Sequence, residues 1–445
     1  MRTNLLAAVC LAVLSASAAA DNLKVPADFV TIGDAVAAAQ DGDTITVSKG
    51  TYLEAVSISV PNVKLVGKKA VIDAEYAAPC LELLADGISV TGFTLVNGTD
   101  GVFASGAGIS ISKCDVFSCS DDGIEAEGAL VIISKNTVVG CNGSGIVHLH
   151  SLVGASLIEK NTCHNNAGHG IEFIGDDSVL SKNDCTGNEG IGISVDVQSL
   201  SIEGKLPVNQ PVLLEKNDCT GNEDDGMQVL NSTQSAVTID GNDLSGNCDH
   251  GLDVDGESFV ITKNDCNDNR DDGMHLVAGA SQVSKNTASD NEGQGIFLGA
   301  IVLLGPGDGG FGFGSGNDNT VEDNTCKDNA GDGIQLGVGD GNSIVDNTCT
   351  GNLDDGIDVD DTQSDGTLVE DNTCNDNGHE GIDNSGTGST ITGNKCKKNG
   401  HGIGPDIAGL GDSGLGTVAT FTDNVFDTGG ETEPSRLDDG VATGL

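Results

Sequence analysis

An asparagine that returns most often every 22 to 25 residues, apolar residues that alternate with a period of two beside each copy, and a unit too short for a strand–helix–strand crossover together predict the fold class. They specify an all-β chain wound as a single-stranded right-handed parallel β-helix, a solenoid with a short N-terminal capping helix. The frame reads SKNTV at Asn136, EKNTC at Asn161, SKNDC at Asn183, EKNDC at Asn217, TKNDC at Asn264 and SKNTA at Asn286, and continues through Asn324, Asn347, Asn372 and Asn394. A second asparagine follows most copies by five residues, and a glycine with an aliphatic residue or methionine follows by nine. Rungs stacked in register ~4.8 Å apart turn such positions into columns. An inward asparagine at a bend bonds both the turn backbone and the next asparagine, so both asparagine columns read as structural.

The elements follow in chain order. Residues 1–20 read as a secretory signal: Arg2, the apolar run Leu5 to Leu14, then Ala18-Ala19-Ala20, with the mature chain beginning near Asp21. Residues 21–427 read as the solenoid, with a cap over about 21–42 whose Ala-rich helix begins near Thr31, and regular rungs over about 90–404. Residues 428–445 read as a flexible Gly-rich tail. Two steps are long, 34 residues after Asn183 and 38 after Asn286, which places insertions at roughly Asp196 to Gln210 and Gly299 to Gly316. Both would leave just after an outward-facing strand and wall a groove between them.

Composition narrows the partners. The formal net charge is −48, from 68 acidic against 20 basic side chains, which excludes nucleic acid and repels a polyanionic polysaccharide unless divalent cations bridge it. Eight cysteines, Cys163 to Cys396, stand two residues after a frame asparagine, where other rungs carry Val138, Leu244 and Ala288. Stacked neighbours have parallel Cβ vectors, so these read as buried free thiols in an apolar column. After the leader no stretch is apolar enough to span a membrane, and the chain is expected to be a secreted, periplasmic or cell-surface monomer.

Residues 29–73, a short helix followed by alternating strands, resemble the entry to pectin-lyase-like right-handed β-helices. That superfamily includes polysaccharide lyases, polygalacturonases, pectin methylesterases, mannuronan epimerases and NosD-type periplasmic β-helix proteins. The resemblance covers nearly the whole mature chain and identifies the fold more sharply than the activity. It implies an extracellular polysaccharide or cell-surface glycan as partner.

The functional face should be the outward side of the strand that begins at the recurring glycine. Asp224-Asp225-Gly226, Asp249-His250-Gly251 and Asp271-Asp272-Gly273 occupy successive rungs there and resemble the polygalacturonase arrangement of stacked aspartates beside a Gly-His-Gly rung. The Arg-Ile-Lys motif of that family and the Asp-Pro-His motif of the mannuronan epimerases are absent. The candidate catalytic residues are Asp225, His250, Asp272 and His275, with the two aspartates as acid and base. Asp253, Asp255, Arg270, Phe311 and Phe313 are the candidate substrate contacts; with no Trp in the chain, stacking on sugars falls to phenylalanines. The chain reads as a hydrolase or lyase, or alternatively as a non-catalytic acidic solenoid that binds Ca²⁺ through carboxylate oxygens.

Overall fold

The computed structural model describes residues 20–149, 154–198, 210–233, 235–299, 316–359, 365–384, 386, 388–400, 407–408, 420–427, 435–436 and 440–441. The leader, the bodies of both insertions with Phe311 and Phe313, and most of the C-terminal tail lie outside the described residues.

Each rung lays one short strand on each of three faces, as in Ile124–Glu127, Ile132–Ser134 and Thr137–Val139. Among the described residues the first face is a 15-stranded sheet running from Val56–Ile58 to Ile407–Ala408. Its strands pair in parallel between adjacent rungs, so Leu252 stands over Met274 and Asp253 over His275. The 22-stranded sheet takes in the second face and the N-terminal part of the third, including Thr137–Val139, and the 7-stranded sheet is the later part of the third face from Thr287–Ser289 onward. On the third face, strands give way to single bridges through Asp184, Asp218, Asp243 and Asp265. Antiparallel pairing occurs at the C-terminal end, where Thr420–Thr422 meets Gly440–Val441 and Val425–Asp427 meets Ser435–Arg436.

The helix α1, Ile32–Ala38, closes the N-terminal end and buries Ile32, Ala35 and Val36. The Thr31 hydroxyl accepts from the Asp34 N–H at 3.0 Å, and the Glu54 carboxylate takes the Ile32 and Gly33 N–H groups at 2.9 Å each. Both devices satisfy donors that the first helical turn leaves open.

Alternation along each strand sends every second side chain into a continuous apolar column, for example Ile193, Met227, Leu252, Met274 and Ile296, all fully buried. The cysteine column runs beside it: Cys163, Cys185, Cys219, Cys266, Cys326, Cys349, Cys374 and Cys396 are buried free thiols. The frame asparagines form a ladder. Asn264 Oδ1 accepts both the backbone N–H and the Nδ2 of Asn242 at 2.9 Å, while Asn242 Nδ2 also donates to the Leu214 carbonyl at 3.0 Å. The same bonds join Asn183 to Asn217 and Asn286 to Asn324 at 3.0 Å, so neither insertion disturbs the stack. The glycine after the turn is required by space: a Cβ on Gly226 would lie 2.6 Å from Asn247 Nδ2 and from the Gly251 carbonyl.

Candidate functional site

At most rungs the residue before the recurring glycine accepts a backbone N–H from the next rung, Ile191 being without a group to do so. Asp225 Oδ1 takes the His250 N–H at 3.0 Å, His250 Nδ1 takes the Asp272 N–H at 3.2 Å, and Asp272 Oδ1 takes the Gln294 N–H at 2.7 Å. Asp122 does this for Ser144, His169 for Ile191 and Asp332 for Asp355. The turn aspartates, which composition alone would leave solvated, are therefore buried: Asp225 is 4% and Asp272 8% exposed. Because His250 Nδ1 accepts, the neutral ring carries its proton on Nε2.

Burial changes the acid chemistry of this column. It pushes the Asp225 carboxyl up to about 8, with the charges of Asp253, Asp224 and Asp249 adding to the effect. Burial likewise raises Asp272, and the Asp271 carboxylate adds to it.

The outward column two residues after each glycine is half-buried and carries a second set of polar groups. Gln228, Asp253, His275 and Phe297 stand on four successive rungs in register. Gln228 Nε2 donates to Asp253 Oδ2 at 3.1 Å and lies 3.5 Å from Asp225 Oδ2, so one amide spans both carboxyls. Asp253 Oδ1 meets His275 Nδ1 at 3.0 Å. Burial opposes ionisation of Asp253, yet the hydrogen bond and charge of His275, with the Gln228 amide, outweigh it and hold the carboxyl below the usual range. Burial also opposes charge on His275, and Asp253 overcomes it, so the imidazole is more basic than usual. Two carboxyls joined through one amide are thus driven in opposite directions.

Three rings complete the arrangement. His250 stacks on His275 with centroids 4.7 Å apart and planes 12° off parallel, and His275 stacks on Phe297 at 4.9 Å and 19°. The His275 side chain is clamped on both faces, 28% exposed, and committed to Asp253 through Nδ1. Nε2 is the ring nitrogen that Asp253 leaves unbound.

The structure thus gathers Asp225, His250, Asp253 and His275 within three rungs. Asp272 joins them through backbone. Asp255 is half-buried one outward position further along the strand, beside Leu230 and Val277 of the adjacent rungs. Arg270 is exposed in the turn before Asp271 and makes no ion pair among the described residues. Gln228 was not singled out by sequence reading, although it occupies the same glycine-plus-two position as Asp253 and His275.

Groups able to hold a cation also occur along this face. Asp225, Asp249 and His250, and likewise His250, Asp271 and Asp272, each bring three ligand atoms within 4.8 Å of one another. The all-oxygen groups are Asp100, Asp122 and Glu125, and Asp355, Asp358 and Asp383.

No curated protein sequence matches the chain. Among solved structures, the A-module of the mannuronan C-5 epimerase AlgE4 of Azotobacter vinelandii superposes with a TM-score of 0.53 at 18% identity, covering 77% of this chain and 99% of that one. The AlgE6 A-module from the same organism gives 0.49 at 19% identity, over 82% of this chain and 93% of that one. A tailspike protein, gp49 of the Acinetobacter baumannii bacteriophage Fri1, a capsular polysaccharide depolymerase, gives 0.40 at 9% identity, over 63% and 58%. At these identities the likeness is one of fold. The right handed beta helix region matches residues 81–209, 209–300 and 304–426, and with its parallel rungs and columns the chain belongs to that family.

Proposed function

We propose that the protein is a secreted polysaccharide-active enzyme whose first face carries out proton transfer at His275. The observation that supports this most is the line Asp225–Gln228–Asp253–His275, backed by the His250, His275 and Phe297 ring stack, on the outward side of one sheet. Asp253 orients His275 through Nδ1 and keeps it basic, leaving Nε2 to give or take the proton at the sugar. Asp225 holds its proton at neutral pH and lends an uncharged neighbour across Gln228, which limits repulsion around the ionised Asp253. The edge of the ring stack offers an apolar contact for a sugar face in a chain that has no Trp. The leader at Arg2 to Ala20 supports export, and among the described residues no helix is long and apolar enough to cross a membrane. AlgE4, with the same fold, acts on a polysaccharide by its name, which suits this substrate class.

Reducing-end release and unsaturated-product absorbance over neutral and acidic polysaccharides test the reading. Asp253→Asn and His275→Gln should each lower turnover by about 10² or more. Turnover identical to wild type in both variants, or none by wild type on the whole panel, would sink it.

A second reading, a non-catalytic solenoid that binds Ca²⁺, draws on the all-oxygen groups at Asp100–Asp122–Glu125 and Asp355–Asp358–Asp383. Hard cations prefer such oxygens to the imidazole-containing groups around His250. A calcium-dependent rise in melting temperature, reversed by chelator and absent in Asp358→Asn, would favour it.

A further inference from the structure

The residue just before each frame asparagine, and before Cys114 which holds the asparagine's place one rung earlier, forms a column that neither the fold nor the first-face site accounts for. It is lysine at positions 113, 135, 160, 182, 216, 263 and 285, interrupted only by Gly241. Seven of the 20 basic residues of a chain with net charge −48 therefore stand in one file. The backbone of this file stacks rung on rung, as in Lys182 N–H to Glu215 O and Lys216 N–H to Asp240 O at 3.0 Å. Eight rungs make it ~34 Å long with charges ~4.8 Å apart.

The turn does not ask for lysine. All seven adopt positive φ, between 53° and 59°, a region that suits glycine, asparagine and aspartate. Where the column continues beyond the second insertion, Asp323, Asp346, Asp371 and Asp423 fill it at φ 54° to 57°, and Gly393 at 69°. Lysine is thus the costlier occupant, and stacking like charges at rung spacing adds repulsion. Its persistence over one half of the solenoid points to the charge itself.

All seven lysines are exposed. Lys160, Lys216 and Lys263 reach Glu159, Glu215 and Asp240 at 2.7, 3.0 and 3.0 Å, whereas Lys113, Lys135, Lys182 and Lys285 make no ion pair among the described residues. Two residues further on, Asp184 and Asp218 take Thr186 and Thr220 hydroxyls, and Asp184 also takes His164. The file acts as one field: the hydrogen bond of Lys160 holds Glu159 below the ordinary carboxylate range, and Lys135 and Lys182 add to the pull.

We propose that this lysine file is a docking rail for a single acidic polysaccharide chain lying parallel to the solenoid axis. Carboxylates flank the rail on both sides, so a broad polyanion meets repulsion where one thin chain does not. The net charge works against such a partner at long range, but beyond about 8 Å that field is screened at physiological ionic strength. The rail lies at the corner between the second and third faces, away from the candidate site, and its partner need not be the substrate.

The test is retention of the full-length protein, with chelator present, on immobilised polygalacturonate, dextran sulfate and neutral dextran over a salt series. The comparison is Lys113→Asp/Lys135→Asp/Lys182→Asp, which uses a residue native to that turn, with folding checked by thermal melting. Wild type should bind at least one acidic matrix and not the neutral one, and the triple variant should lose about tenfold or more in affinity. The carboxylate and sulfate arms tell which acid group is taken, and Asp253→Asn should bind as wild type. No low-salt retention of wild type on either acidic matrix, equal retention of the variant, equal retention on neutral dextran, or equally tight binding of duplex DNA would each overturn the proposal.

Discussion

Two corners of the same rung solve one problem differently. At the asparagine corner each amide both donates and accepts: Asn264 receives two bonds from Asn242 and returns Nδ2 to Asn286 and to the Ile239 carbonyl. That column closes on itself. At the glycine corner the side chains are Asp225, His250 and Asp272, which accept one backbone N–H each and keep a second oxygen or a ring nitrogen beyond the ladder. A repeat built from amides spends its polar capacity on the fold, whereas one built from carboxylates and imidazoles stabilises the turn with half of each group. The remainder meets the outward column at Gln228, Asp253 and His275, and the candidate site arises there.

The comparison can be broken at its strongest point first. Asn264→Ala removes the acceptor for two Asn242 donors and takes one of its two donors from Asn286 Oδ1 and the Nδ2 donor from the Ile239 carbonyl, all in a fully buried column. A loss of about 3 kcal/mol or more is expected, read as a shifted denaturant midpoint. A loss below about 1 kcal/mol would mean water enters the ladder and the two corners are alike.

Asp225→Asn should act in the opposite sense, depending on pH. Folding raises this carboxyl to about 8, so between about pH 4 and pH 8 the folded chain holds a proton that the unfolded chain has released. Stability therefore falls as pH rises through that window. Asparagine keeps an acceptor for the His250 N–H without the ionisation. The variant should be more stable than wild type at pH 8 by on the order of 2–5 kcal/mol, with the gap closing below about pH 4. Melting curves at the two pH values check it, and a gap independent of pH would show that Asp225 ionises freely.

The smallest expected effect concerns the cysteines. Cys266→Ala should cost about 1 kcal/mol, because Ala288 and Leu244 already fill neighbouring places in that column. In the folded protein a thiol reagent should reach Cys248, the half-buried member, ahead of the others. Rapid labelling of all thirteen thiols among the described residues would show that the core breathes.

Much of the architecture was legible because it is written many times over. The asparagine frame and the apolar cysteine column follow from local chemistry repeated at a fixed interval, which the parallel rungs bear out, and the helix start at Thr31 follows from a single capping residue. The outward position two residues after glycine was also readable, which brought out Asp253 and His275. Two things were not. The pre-glycine aspartates look solvent-facing by composition, and only the stacked rung above, supplying an N–H, buries them. The His250–His275 stack joins a turn position on one rung to a strand position on the next, a diagonal that no single column displays. Gln228 escaped because a neutral amide carries no chemical signal until its two carboxylate neighbours are seen.

The indifference of the asparagine ladder to the 34- and 38-residue steps has a kinetic side. Each rung needs only the one before it as a template, so the chain can grow as a zipper from its capped N-terminal end, and the search at every step is confined to one repeat however long the solenoid becomes. An unusually long loop delays a single step by its closure entropy, which grows only with the logarithm of its length. Such a molecule can take up or shed surface loops on its first face while the order in which its rungs assemble stays the same.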